Sequence, residues 1–359
     1  MIGDTGFNPK SSIVNGKSQN AACYNLFKGN GPMNPQELKN RCVGAIVGFA
    51  AGDALGMPAE FLSREQIRRY YGKPISGFVK AHPGHASDFL PEGAYTDNTQ
   101  TMLATAECLI ECKKMDPARQ ADTLLAWYQN TVPHRTPSTA NLRACKHLAC
   151  GRSWSKSGVF SSGCSAAMRM IPIGLFFNRS PEELTRAALD ACIITHNEPR
   201  AKAASVSVAY LVARLLQSDE RCWPADQVLE TADHIAHLDQ DLAAMLRWIT
   251  QITHLPPEEA LFEIGTSSDA IEAVPAAVYC FLKHPRSFLG AVLPAVNAGD
   301  AADSVGALAG SFVGALAGAL TIDPHLVQGL ENSDVLIGVG ENFAKLLAAS
   351  TANTEAAQP

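Results

Sequence analysis

Glycine recurs at every fourth position from Gly44 through Gly48 and Gly52 to Gly56, and again from Gly306 through Gly310 and Gly314 to Gly318. A glycine inside a helix costs about 1 kcal/mol relative to alanine, so four in register make sense only on a face that another backbone must approach closely. The two stretches are therefore expected to form central, tightly packed helices. Apolar residues recur at i, i+3 and i+4 over 37–51, 99–113, 118–129, 181–194, 201–217, 226–237, 241–252, 270–282 and 287–296, and almost nothing alternates with period two. The fold class that follows is all-α. Helix starts carry the expected punctuation at Asn34-Pro35, at Asp116-Pro117 and at Ser180-Pro181-Glu182-Glu183, where Ser180 can cap and Glu183 can complete a capping box.

No linker divides this region and no repeat of fixed period appears. One domain is expected over 40–348, between a flexible polar leader at 1–39 and a disordered tail at 349–359. With 359 residues, 47% of them hydrophobic and 18% charged, the chain can bury a large core. A formal charge of -6 leaves no broad basic field, which argues against nucleic acid as a partner. Residues 305–322 run without a charge, but they are mostly Ala and Gly with no basic flank, which suits a core helix and not a membrane span. Ten cysteines without a CxxC pair read as free thiols of a reducing cytosol, not as a zinc or disulfide framework. The leader lacks the apolar run of a secretory signal, so a cytoplasmic location is the simple expectation. Polar leaders also occur on bacterial effectors secreted into a host cell, and composition does not separate the two.

Two acidic segments carry the chemistry: Tyr95-Thr96-Asp97-Asn98-Thr99-Gln100, and Asn297-Ala298-Gly299-Asp300-Ala301-Ala302-Asp303-Ser304. Each couples a carboxylate to a neighbouring hydroxyl, Asp97 to Thr96 and Asp303 to Ser304, and such hard oxygen donors are what Mg²⁺ or Mn²⁺ prefers. In Gly52-Asp53-Ala54-Leu55-Gly56-Met57-Pro58-Ala59-Glu60-Phe61, Pro58 should stop the helix and leave Glu60 in a loop, an ordinary exposed acid on residue chemistry alone. Its company changes that reading. Together the three segments hold enough oxygen ligands for much of a di-metal site in which Asp97 and Asp303 could bridge.

Ser161-Ser162-Gly163-Cys164-Ser165 precedes an Ala-rich stretch, and small residues before a helix can either cradle a phosphate on exposed N–H groups or simply form a packing turn. Cys164 could act as a nucleophile with His196 as its base, or be merely small. His196 could hold a substrate hydroxyl or phosphate, or satisfy the core. Residues 64–95, rich in Gly and Pro, form the longest stretch without helical pattern and lead straight into Thr96, as either a cover over the site or a surface excursion.

Taken in order, Gly52 to Glu60, Tyr95 to Gln100, Gly163 to Arg169, Thr195-His196, Glu272 to Ala277 and Asn297 to Gly310 resemble the successive motifs of the ADP-ribosylglycohydrolase family. The resemblance implies a compact single-domain helical fold, a dinuclear Mg²⁺ or Mn²⁺ centre, and hydrolysis of the glycosidic bond between ADP-ribose and a protein side chain such as arginine or serine. Carried over, it places Glu60, Asp97 and Asp303 at catalytic positions, and Thr96, Asp97, Asp303 and Ser304 at metal positions. Ser161, Ser162, Gly163, Cys164, Ser165, His196, Asn98 and Gly299 fall at substrate positions. Two positions depart, because Asn98 and Ala301 stand where the family pattern has aspartates. Losing two anionic ligands should weaken or abolish ion occupancy. Asp300 could replace the missing acid if it shares a helical face with Asp303, or could instead cap the following helix. The partner implied is ADP-ribose or an ADP-ribosylated protein. An inactive ADP-ribose-binding module and a hydrolase of a small ADP-ribose-type signal are the competing readings.

Overall fold

A computed structural model describes residues 33–219 and 222–356, the side chains of 350–356 excepted. Helices Pro35–Gly56 and Ala302–Ala317 run antiparallel at its centre, with Gly44 opposite Gly314, Gly48 opposite Gly310 and Gly52 opposite Gly306. A Cβ on Gly44, Gly48, Gly52 or Gly56 would stand 2.1–2.6 Å from main-chain atoms of the partner helix or the turn after it. Only hydrogen fits there. The glycines let two backbones touch, which gains dispersion contacts along the whole seam. Gly318 departs from the pattern, since it caps the second helix in the left-handed region at φ +83° and lies against the Asn40 side chain.

Asp53, Asp303, Ser304 and Ser311 apart, both central helices are apolar all round where they lie inside the core. Every residue of the first is buried from Cys42 to Gly56, and every residue of the second from Ala302 to Leu316. The stretch Pro35–Ala59 is long and apolar enough to cross a membrane, yet its apolar window lies fully inside the fold. Other helices enclose this pair, among them Asp97–Cys112, Pro199–Leu216, Ala270–Lys283 and Phe288–Val296, all near their expected positions. The fold is all-α. Among the described residues the β-type pairings are three isolated bridges, Ser63 with Gly299, Val159 with His196 and Gly163 with Asp269, and each involves a segment that bears candidate site residues.

Three local expectations need correction. Residues 64–95 open with a helix, Arg64–Tyr71, whose capping box is Ser63 with Gln66; with only Ile67 buried, its apolar period was invisible in the sequence. Ser180 makes no side-chain capping bond, so the box proposed with Glu183 does not form. The first helix already starts at Pro35 and the last runs Ser333–Ala356, so both enter segments assigned to leader and tail. Residues 1–32 and 357–359 lie outside the described residues.

Candidate active site

The glycine seam ends at the candidate site. A Cβ on Gly56 would meet Ala302 O at 2.3 Å and Asp303 Cα at 2.4 Å, so close packing sets the separation between Asp303 and the loop that carries Glu60. One turn earlier, Asp53 is fully buried and accepts bonds from the Thr96 and Thr99 main-chain N–H groups (3.2 and 3.0 Å) and from both their hydroxyls (2.8 and 2.6 Å). A carboxylate receiving first-turn donors favours the start of helix Asp97–Cys112, whose own cap is Thr96. Asp53 thereby docks the first acidic segment onto the glycine helix.

Asp97 and Asp303 each begin a helix, and both are buried with Glu60, Asn98 and Ser304. The Asn98 side-chain N–H donates to Asp303 Oδ2 at 2.9 Å and Ser304 Oγ at 3.0 Å. Asn141 Nδ2 stands 3.5 Å from Asp97 Oδ2. Burial, then the charge of Asp303, pushes both Glu60 and Asp97 well above the usual carboxylate range, and burial also raises Asp303. Asp53 is raised by burial and by Asp303, while its Thr99 and Thr96 bonds pull it back.

This donor set can be tested against the dinuclear centre that the family pattern implies. In its favour, every donor is a hard oxygen, and the buried Glu60 Oε2 and Asp303 Oδ1 have no hydrogen-bond partner. Against it, the Asn98 amide holds Asp303 and Ser304 where a cation would, and Ala301 offers only a methyl group. Among the described residues no three His, Cys, Asp or Glu side chains converge to hold an ion. The residues do not fit a complete two-ion centre.

Asp300 lies outside the helix. It is exposed, has φ 55°, and pairs through its backbone with Phe61 N and Leu62 O (2.8 and 2.9 Å), so it shares no helical face with Asp303; Ala301 is the cap residue instead. Gly299 has φ +86°, and a Cβ there would meet Leu62 O at 2.0 Å, so its visible role is to let the Asp303 loop meet the Glu60 loop.

The Ser161-to-Ser165 segment leads into Cys164–Arg169, which is a six-residue 3-10 helix, so the expected macrodipole of an α-helix start is absent. Its thiol is no nucleophile at neutral pH, because burial above all, with Asp303 nearby, pushes Cys164 up to about 12. The effect of the Asp303 charge on it places that thiol near the carboxylate cluster. His196 is buried, bonded through Nε2 to Ser165 Oγ (3.1 Å) and through Nδ1 to Thr195 Oγ1 (2.8 Å). The buried Arg169 donates to the same Thr195 oxygen at 2.5 Å. The Thr195 hydroxyl keeps its proton and a second lone pair, so it either donates to Nδ1 or accepts from Nδ1–H, and Ser165 takes the complementary role at Nε2. Burial and the Arg169 charge lower His196 to about 3. We expect ¹⁵N NMR to find a neutral His196 ring at pH 5; an imidazolium signal there would contradict this buried network.

Beside this segment lies a cavity of about 440 Å³ lined by Thr139, Arg143, Phe160, Ser161, Ser162 and Arg200, among others. Glu198 also lines it, and next to Thr139 the Ser138 hydroxyl is 2.8 Å from Ser165 Oγ, which in turn bonds His196. Sequence reasoning missed Asp53, Arg169, Arg143 and Arg200. Asp53 had a legible signal, as the one charged residue in the buried part of its helix, Cys42 to Gly56.

Fold and site define an all-α protein with a cluster of buried carboxylates and a cleft lined by serine, arginine and Glu198. The chain belongs to the ADP-ribosylglycohydrolase family, whose model matches residues 34–355. An uncharacterized protein of Archaeoglobus fulgidus is 34% identical over 293 residues, covering 81% of this chain and 92% of its own. The ADP-ribosyl-[dinitrogen reductase] glycohydrolase of Rhodospirillum rubrum is 26% identical over 292 residues (80% and 88%), and the ADP-ribosylarginine hydrolase Tri1 of Pseudomonas putida 25% over 314 (82% and 76%). A solved ADP-ribosylglycohydrolase-related protein complex superposes with a TM-score of 0.70 at 26% identity, over 87% of this chain and 99% of that one. Membership supports a hydrolase acting on ADP-ribose linkages.

Proposed function

We propose that the protein binds an ADP-ribosyl group and hydrolyses its glycosidic bond to a protein side chain, an arginine-type linkage being favoured. The observation that carries this is the cavity at Ser161 and Ser162, of a size that ligand pockets share, with Arg143 to meet a diphosphate, on the same loop whose Cys164 lies within the influence of Asp303. The names of two relatives, an arginine hydrolase and a dinitrogen reductase glycohydrolase, support the linkage.

In the reaction, a water oxygen bonds to the anomeric carbon, the carbon–nitrogen bond to the side chain breaks, and the leaving guanidine takes a proton. Glu60 is placed to exchange that proton, since its Oε2 is committed to no other group. Asp97 and Asp303 are placed to hold ribose hydroxyls and to accept the proton lost by the water. With Asn98 bonded to Asp303 and Ser304, the centre binds divalent ions weakly at best. The same contact favours a second reading, an ADP-ribose-binding module without turnover.

Release of ADP-ribose from ADP-ribosylarginine separates the two. Hydrolysis by the native protein, lowered by about a hundredfold or more in Glu60→Gln, supports the enzyme reading. Tight ADP-ribose binding without release supports the module. In parallel, Asn98→Asp with Ala301→Asp is expected to tighten Mn²⁺ binding at least about tenfold by calorimetry, because each change returns an anionic oxygen. Tight binding of two ions by the native protein would contradict the weakened centre.

A further inference from the structure

The segment 265–269, which sequence reasoning left unassigned, touches both halves of the site. Towards the carboxylates, Ala301 N–H donates to Thr266 O at 2.9 Å, just before Asp303. Towards the cleft, Cys164 N–H donates to Ser268 O and Ala270 N–H to Ser162 O, both at 2.9 Å, and Gly163 bridges Asp269. Asp269 completes this contact with its side chain. Its Oδ2 accepts the Ser162 hydroxyl at 2.6 Å, while its Oδ1 accepts Ile271 N–H at 3.1 Å and caps helix Ala270–Lys283.

The segment is itself held from below. Gly265 sits at φ +82°, where a Cβ would stand 2.3 Å from the Glu272 carboxylate, and that carboxylate accepts Ser267 N–H at 2.9 Å. The chain can turn over Glu272 only because residue 265 lacks a side chain. Asp269 N–H donates to Ser267 Oγ at 3.3 Å, which fixes the last turn before the helix.

We propose that residues 265–269 form a positioning strap for the site, and that Asp269 is the residue that holds the Ser161–Cys164 loop in the shape that receives the ligand. The proposal rests on the ADP-ribosyl reading of the cleft. Asp269 does not touch the reacting atoms. It acts through Ser162, whose hydroxyl is tied to the strap and whose carbonyl is tied to Ala270 directly after it, so the loop is ordered before the ligand arrives and less ordering entropy opposes binding.

Asp269→Ser separates this role from helix capping. Serine is a good cap, but its single oxygen cannot serve Ile271 N–H and Ser162 Oγ together. The variant should melt within a few degrees of the native protein, bind ADP-ribose about tenfold more weakly, and raise KM for ADP-ribosylarginine while kcat stays nearly constant. Asp269→Asn keeps a single acceptor oxygen, which, facing Ser162, still takes that hydroxyl and leaves Ile271 N–H uncapped, and is expected to restore most of the affinity at some cost in stability. Ser162→Ala should weaken binding as much as Asp269→Ser, with no further loss in the double variant. Native affinity in Asp269→Ser, or additive losses, would overturn the proposal. Amide exchange in the ligand-free protein tests the strap even if ADP-ribose proves not to bind, a result that would fail the ADP-ribosyl reading alone. Exchange at Gly163 and Cys164 should speed up several-fold in Asp269→Ser, and unchanged exchange would overturn the positioning role.

Discussion

Gly52→Ala is expected to lose about 3 kcal/mol of stability or more, although alanine is the better helix former by about 1 kcal/mol. The new Cβ would lie 2.1 Å from Gly306 O and 2.5 Å from Gly306 C, and neither atom belongs to a side chain that can swing away. The helices must part along the seam, or one must slide. Parting opens voids beside residues that are now fully buried, so overpacking at one point becomes underpacking around it. Denaturant titration should show the midpoint falling, with insoluble expression as the extreme outcome. Gly338→Ala is the control, because a Cβ there meets nothing within 4 Å and the same substitution should be near neutral or stabilising. Equal stability of both variants would contradict the backbone-to-backbone seam.

That seam shows how far sequence reading reaches. The four-residue glycine period announced two close-packed helices, because glycine in register has few other uses, and the apolar period of 3.6 announced an all-α fold. That the two glycine stretches pair with each other could not be read, since the period is the same whichever backbone lies opposite. Glu60 illustrates a second limit. As a loop acid after Pro58 it looked exposed, whereas the Asp300 and Leu62 pairing folds its loop inward and leaves the carboxyl 7% exposed. Burial of that kind depends on two left-handed residues, Phe61 at φ 64° and Asp300 at φ 55°; Asp favours positive φ more than most residues do, but Phe does not advertise it.

The acid cluster was legible as residue types and illegible as bonds. Asn98 was visible as a missing charge, while its amide bridging Asp303 to Ser304 needed the two helix starts to face each other. Asp53 was overlooked because its role is to receive four donors from a segment more than forty residues away, a contact that no local pattern marks. Asp269 sat beside a recognised motif and could be read only as a helix cap. Its second oxygen has meaning only once the Ser162 loop lies against it.

The central claim is that the cleft at the Ser161–Ser165 loop takes the ADP-ribosyl group, and Gly163→Trp is the second variant with a large expected effect. Gly163 has φ -61° and ψ 150°, an ordinary conformation for any residue. A Cβ there meets nothing nearer than Ser161 Oγ at 3.4 Å, with His196 Nε2 and Ser268 O at 3.8 Å, so the backbone tolerates a Cβ, and a bulky side chain at this position stands beside Ser162, which lines the cleft. The substitution therefore reports on the cleft and leaves the fold in place, which an unchanged melting midpoint would verify. Calorimetric titration of ADP-ribose into the native protein and into Gly163→Trp tests the claim most directly. Saturable one-site binding by the native protein, weakened at least about a hundredfold in the variant, is the predicted result, equivalent to a loss of about 2.7 kcal/mol. No binding by the native protein, or equal binding by both, would contradict it.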